Sequence, residues 1–443
     1  MSTSPSPRPA DSFRRRRLLH GPHRRWWLGL LVLAVPAALF VLWLMWERSL
    51  PELASAPDFS PAQVRAGARV VAQGDCMVCH TAEGGRPFAG GRPLLTPFGT
   101  IYATNITPDR ATGIGGWSRE AFTRALRHGI ARDGHQLYPA FPYTYYTRLP
   151  QADIDAAYAY LMTREAIRQE APPNRLMFPL GFRPLLAFWN LLYLRPGEQV
   201  PPAGLSALEQ RGFALVEGAG HCAACHSPLG PLGAIPEGRR FDGGLVDGWE
   251  APALNRLLQA RTPWTREQLV QYLGTGWASA HGAAAGPMRP VVRELATLPG
   301  ADVEAIAAYL MRLQKPADAA TTRTALKADM GDLSVRRGEQ LFAGVCLQCH
   351  ADSAPMRVVG GRPRLADSSA LQAQSPHNLV QMIVQGLPWD GHVPQPYMPA
   401  YAGTLDAVQI ADIAAYLRVV QAGRPAWPET EKLATQALKE ARP

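Results

Sequence analysis

The sequence predicts an all-α fold, three tandem domains behind one N-terminal transmembrane helix, and three observations predict it. A single uncharged apolar run lies near the start of the chain. The dipeptide-spaced cysteine pattern Cys-x-x-Cys-His occurs three times. Around each copy the same order of helical signals recurs, and no alternating strand pattern of useful length is present.

The run is WWLGLLVLAVPAALFVLWLMW, residues 26–46, whose 21 residues carry no charge. That length crosses a bilayer as a helix, and tryptophans at both ends suit the water interface. Residues 1–25 hold seven arginines against Asp11, so they carry +6 of the formal +9 charge. A basic flank of this kind places the N-terminus in the cytoplasm and the rest outside. A nucleic-acid binder needs its basic patch on the folded part, and here only +3 remains for the other 418 residues. The sequence therefore predicts no nucleic-acid partner. A cleaved signal peptide ending at residues 54–56, ASA, is the competing reading, but the apolar core exceeds the usual ~7–15 residues.

All six cysteines fall in the three motifs: Cys76-Met-Val-Cys79-His80, Cys222-Ala-Ala-Cys225-His226 and Cys346-Leu-Gln-Cys349-His350. Composition predicts on the order of 0.002 such matches by chance. Two thiols on one helical turn suit addition to the two vinyl groups of one haem, and the following His supplies a proximal nitrogen to its iron. A structural zinc site wants two converging pairs and leaves one pair stranded. A thioredoxin-like motif needs no His and comes with a βαβ pattern that is missing. The expectation is three covalently bound c-type haems, with His80, His226 and His350 as iron ligands.

Before each motif comes a glycine, Gly67, Gly212 or Gly338, followed by a mainly apolar helical stretch. A second helix comes later: GWSREAFTRALRHG, PWTREQLVQYLGTG and SPHNLVQMIVQG, with Ser118, Thr265 and Ser375 as caps and Pro376 in the first helical position. An alanine-rich helix closes each unit, aligning Tyr160, Tyr309 and Tyr416. This is the plan of class I cytochrome c domains. The predicted boundaries are a basic cytoplasmic tail 1–25, the anchor 26–46, a linker 47–60, and domain 1 at 61–165. An apolar, Pro-rich linker 166–202, domain 2 at 203–316, a linker 317–332, domain 3 at 333–422 and a tail 423–443, read as an exposed helix, complete the chain.

The distal side differs among the units. Met288 lies 62 residues after His226, and Met398 lies 48 after His350. Both adjoin proline, and both are read as thioether ligands, which raise a haem's potential and suit electron transfer. The equivalent place in the first unit, 61 residues after His80, is Phe141, which has no lone pair. The sixth ligand of the first haem is left open among His128, His135 and Met162, or the iron stays open. Arg92 and Arg362, in matching GGRPLL and GGRPRL contexts, are candidates to pair with haem propionates. The segment NITPD, 105–109, is read as a turn rather than a glycosylation site.

The stretch GGRPLLTPFGTIYATNITPDRATGIGGWSREAFTRALRHGIARDGHQLYPAFPY (90–143), the run FPLGFRPLLAFWNLLYL and the three haem motifs resemble the triple-haem cytochrome c subunits of bacterial membrane-bound dehydrogenases, over roughly residues 60–420. That resemblance implies an electron-transfer subunit rather than a catalytic one. Its partner is a periplasmic dehydrogenase catalytic subunit, and its acceptor is quinone, a terminal oxidase or another cytochrome. Alcohol dehydrogenase subunits of this family usually carry Met at the position of Phe141 and a cleavable signal. Phe141 and the anchor are more similar to the cytochromes accompanying molybdenum hydroxylases of the nicotinate or isoquinoline dehydrogenase type, so a molybdenum partner is favoured over a PQQ or flavin enzyme. The implied location is the bacterial inner membrane, with the haem domains on the periplasmic side. The alternative function is a peroxidase using an open first haem, with His128 or His135 as the acid/base group. The apolar residues 185–194 are read as packing between domains, or else as a docking site for a partner or the membrane surface.

Overall fold

The computed structural model describes residues 29, 31–36, 38–40, 47–55, 57–316, 331–355, 364–388 and 397–441. The predicted anchor lies for the most part outside these residues, as do most of the linker 317–332 and Arg362. Among the described residues no helix is long and apolar enough to cross a membrane.

Three hydrophobic clusters follow one another along the chain. The first is built on α1 (Pro61–Gln73), α2 (Arg119–His128) and α3 (Gln151–Met162). After it comes α4 (Leu185–Tyr193). The second uses α5 (Ala207–Ala214), α6 (Arg266–Thr275), α7 (Met288–Leu295) and α8 (Gly300–Arg312). The third uses α9 (Leu333–Val345), α10 (His377–Gln385), α11 (Ala407–Tyr416) and α12 (Thr430–Glu440).

One packing device is used three times. A Cβ on Gly67 of α1 would lie 1.9 Å from the Ala156 carbonyl oxygen of α3. On Gly212 of α5 it would lie 2.0 Å from that of Ala305 on α8, and on Gly338 of α9, 2.0 Å from that of Asp412 on α11. In each case the next neighbour is the Cβ of Tyr160, Tyr309 or Tyr416. The glycine lets the first and closing helices cross backbone against backbone, and the matched tyrosine lies over the crossing.

Helix starts follow their signals at Ser118 and Thr265, whose hydroxyls accept the N3 amide. Ser375 departs from expectation. Helix α10 begins one residue later than predicted, and the Ser375 hydroxyl donates instead to the Glu250 carboxylate of the second unit. A tertiary partner has taken the side chain that local capping would have used. The fold is mostly helical rather than wholly so. Strands β1 (Pro93–Thr96) and β2 (Gly99–Tyr102) form a hairpin joined by β3 (Arg175–Leu176). A second hairpin pairs β4 (Gly244–Val246) with β5 (Trp249–Ala251). These strands of two to four residues are too short to show a period of two in sequence. Helix α12 was expected to be exposed, but it docks on the third cluster through buried Ala434 and Ala437, with Trp427 buried beneath it. Asn105 is buried and donates to the Ile167 carbonyl at 2.6 Å, so the NITPD segment is an internal turn.

Candidate haem sites

At the end of α1 the backbone turns sharply at Asp75, with φ 51°, and the chain makes a single helical turn over Cys76–Cys79. His221, with φ 35°, makes the same turn before Cys222. In all three motifs the His amide donates to the carbonyl of the first cysteine at 3.0 Å: His80 to Cys76, His226 to Cys222, His350 to Cys346. The cysteine pair and the histidine therefore share one turn in each unit.

The six thiols are half-buried. Burial above all, reinforced by neighbouring acidic groups and the partner cysteine, pushes Cys76 and Cys222 up to about 12. Cys79 and Cys225 rise to about 11. Catalytic or metal-binding cysteines want the opposite, a stabilised thiolate. A thioether is neutral and fits this setting. Among the described residues no three His, Cys, Asp or Glu side chains converge on a metal-sized site.

His80 Nδ1 donates to the Thr104 carbonyl at 2.6 Å, and His226 Nδ1 to that of Pro252 at 2.7 Å. Burial lowers both pKa values, so each ring is neutral. With Nδ1 committed, Nε2 presents its lone pair in a fixed direction, as an axial iron ligand must. On both the thiol and the imidazole count, these residues fit haem.

On the other side, each cluster holds the predicted distal residue in company with its cysteine. Met288, the first residue of α7, packs on the cluster that takes Cys222. Met398 and Cys346 both pack on the third cluster, and Met398 is held by paired backbone bonds to Leu387. Phe141 and Cys76 both pack on the first cluster, the Phe141 ring centroid 5.5 Å from that of Tyr146. Tyr146 in turn donates to the Gly74 carbonyl at 2.9 Å, which ties Phe141 to the turn before Cys76. Of the three other candidates, Met162 belongs to the same cluster and the two histidines do not. Met162 is buried in the first cluster at the end of α3. His128 is exposed at the end of α2, beside Arg119, Glu120, Arg124, Gln151 and Asp155. His135 pairs with Asp133 at 2.5 Å on a half-exposed loop.

The first two motifs meet across the interface between their units. His221 Nε2 donates to the Gly74 carbonyl at 3.3 Å, and its ring lies 5.7 Å from that of Tyr146 and 6.3 Å from that of Tyr145. After burial, the largest influence on the Cys225 thiol is Cys79. Arg92 acts on Asp75, Cys79 and Asp247 and so sits at this junction. Asp75 is pushed up to about 7 by burial and then by Glu294 of α7, and its Oδ1 has no hydrogen-bond partner. Nearby, buried Glu217 accepts from Arg148 of the first unit at 3.3 Å, from Arg240, and from the Tyr309 hydroxyl at 3.2 Å. Sequence reasoning passed over His221 and Glu217. The only signal was a histidine directly preceding a haem motif, in GAGHC. The second and third units join through β5 and α10, where the Glu250 amide and the Asn378 side chain exchange hydrogen bonds of 2.8 Å.

Folded units of this kind, each presenting a cysteine pair and a histidine on one turn, define a c-type cytochrome with covalently bound haem. Residues 64–165 and 209–314 match the family model described as cytochrome c. Residues 334–417 match that described as cytochrome c oxidase, cbb3-type, subunit III. The chain is 35% identical over 387 residues to the cytochrome c subunit of alcohol dehydrogenase (quinone) of Gluconacetobacter polyoxogenes, covering 83% of this chain and 82% of the relative. It is 35% identical over 382 residues to the gluconate 2-dehydrogenase cytochrome c subunit of Pantoea cypripedii, covering 81% and 85%. It is also 46% identical over 418 residues to a nicotinate dehydrogenase subunit of Pseudomonas putida. That match takes in 93% of this chain but spans only 35% of the relative. The chain belongs to the family of dehydrogenase cytochrome c subunits.

Proposed function

We propose that this chain is a membrane-anchored, three-haem electron relay. It takes electrons from a periplasmic dehydrogenase catalytic subunit and delivers them to quinone, a terminal oxidase or another cytochrome. When bound, haem supplies one-electron redox chemistry, and the protein sets its ligands, burial and position. The observation that carries the reading is the threefold recurrence of one site, in which a His amide bonded to the first cysteine carbonyl ends a turn placed by a glycine helix crossing. Cys76, Cys79, Cys222, Cys225, Cys346 and Cys349 hold three haems. His80, His226 and His350 are the proximal ligands, and Met288 and Met398 are distal ligands. Phe141 withholds a thioether from the first site. The first and second sites exchange electrons directly, because their attachment turns touch through His221 and Gly74. The third is reached through the contact of β5 with α10.

The match to a nicotinate dehydrogenase subunit, together with Phe141, favours a molybdenum hydroxylase as partner over a PQQ or flavin enzyme. The test is the full chain expressed with haem-attachment machinery. The expected mass includes three porphyrins, and the expected haem absorbance reports reduction when the catalytic subunit and its substrate are added without oxygen. A mass lacking the porphyrins, or no reduction by the dehydrogenase, overturns the proposal.

A further inference from the structure

Helix α4 is inside out. Leu185, Phe188, Leu191 and Leu192 are exposed, Leu191 at 76%, and no residue of the helix is buried. Its one polar side chain, Asn190, faces the protein, accepting from the Tyr143 hydroxyl at 2.7 Å and donating to Gln136 at 3.1 Å. A surface helix of a globular protein does the reverse. The apolar surface continues through Met177, Phe178 and Phe182, with Phe178 98% exposed, and onto Leu232, whose carbonyl accepts from Trp189 at 2.9 Å. Patches of this extent mark an interaction surface.

Charge and position together select the occupant. Residues 175–195 contain Arg175, Arg183 and Arg195 and no acidic residue, which suits an anionic lipid surface. The chain enters the folded body at Glu47, directly after the apolar run 26–46. There Leu50 donates to the Arg132 carbonyl at 2.8 Å and Ser49 to that of Asp133 at 3.0 Å. The same loop touches the apolar surface farther along. Arg183 donates to the Gln136 carbonyl at 2.8 Å, and Tyr138 to that of Leu180 at 3.1 Å. The point of entry and the apolar surface thus flank one short loop.

We propose that residues 177–193 lie in the headgroup region of the membrane, apolar face down, beside the anchor. This second attachment fixes which way the first unit faces the bilayer. Only its link to residue 47 rests on the anchored reading, since the inverted helix and its arginines stand without it.

The experiment uses the full chain in its native membranes, with its catalytic subunit present. Photoreactive p-benzoylphenylalanine replaces Leu191 or, as the control on the third unit, Val408, which is 45% exposed. After illumination, phospholipid adducts at position 191 are expected to exceed those at 408 several-fold. Adducts to the catalytic subunit or to a second copy of the chain, or lipid adducts no more frequent at 191 than at 408, overturn the proposal. Resistance of the chain to alkaline extraction of the same membranes reports the anchor separately. Extraction resistance without lipid labelling at 191 rejects the surface and leaves the anchor standing. Labelling in a chain that washes out keeps the surface and rejects the anchor.

Discussion

Replacing Gly338 by alanine tests the crossing on which each haem turn is mounted. The new Cβ would sit 2.0 Å from the Asp412 carbonyl oxygen and 2.8 Å from the Tyr416 Cβ. The first obstacle is backbone, which cannot swing aside, so relief requires α9 and α11 to separate by about 1 Å. A radial gap of that size forfeits a quarter to a half of each dispersion contact it spans. Buried Val335 and Phe342 of α9 and Ile413 and Tyr416 of α11 share the affected core. Arg337, whose guanidinium donates to the Asp412 carboxylate at 2.6 and 2.8 Å, is carried off line as well. Overpacking of this kind costs about 3 kcal/mol. Gly344→Ala is the matched control, because it lies in the same helix and its Cβ would meet nothing within 4 Å. Both variants gain the same helix propensity, up to about 1 kcal/mol, so the difference isolates the crossing. On the order of a hundredfold more opening of the third unit is expected in G338A than in G344A, read by native-state proteolysis, with haem loading at Cys346 and Cys349 measured alongside. Equal protection of the two variants would refute the crossing as the support of the site.

Glu217→Gln removes the charge that Arg148 and Arg240 share, at a cost of about 3 kcal/mol, and proteolysis of the segment joining the first two units should accelerate accordingly. Met288→Leu should lower the potential of the second site, and Phe141→Met should raise that of the first. A spectroscopic titration in which neither moves would reject these distal assignments. Asp242 accepts from Lys315 at 2.7 Å, Asn255 at 2.8 Å and Arg239 at 2.9 Å, which hold its carboxyl down at about 2. A depressed carboxyl stabilises while ionised, so its contribution is whole above about pH 4 and fades as pH falls through about 2. Asp242→Asn should cost roughly 1–2 kcal/mol at neutral pH and only a small part of that near pH 2, checked by urea midpoints at both.

The haem turns and their supports were legible because each is a short-range pattern under a covalent or steric rule. Cys-x-x-Cys-His occupies one turn, and the recurring glycine and tyrosine were legible as a repeat, although that they meet at a close crossing is visible only in the structure. What escaped is decided by partners far along the chain. Ser375 reads as a helix cap until Glu250, 125 residues earlier, takes its hydroxyl. His221 reads as an incidental neighbour of Cys222 until Gly74 is brought to it. The tail helix α12 reads as solvated because its buried face is made of small alanines, which carry a weak apolar signal. For α4, composition gave an apolar stretch but could not say which side faces out, since the position of Asn190 has meaning only once Tyr143 is located.

The bond between His221 and the Gly74 carbonyl also bears on assembly. With the first two units docked, the turn before Cys76 lies against the turn before Cys222, so docking covers one side of both turns. Prosthetic-group attachment before docking is therefore expected to be faster than attachment to the docked pair, a difference that comparing the loading of unfolded and folded chain would read.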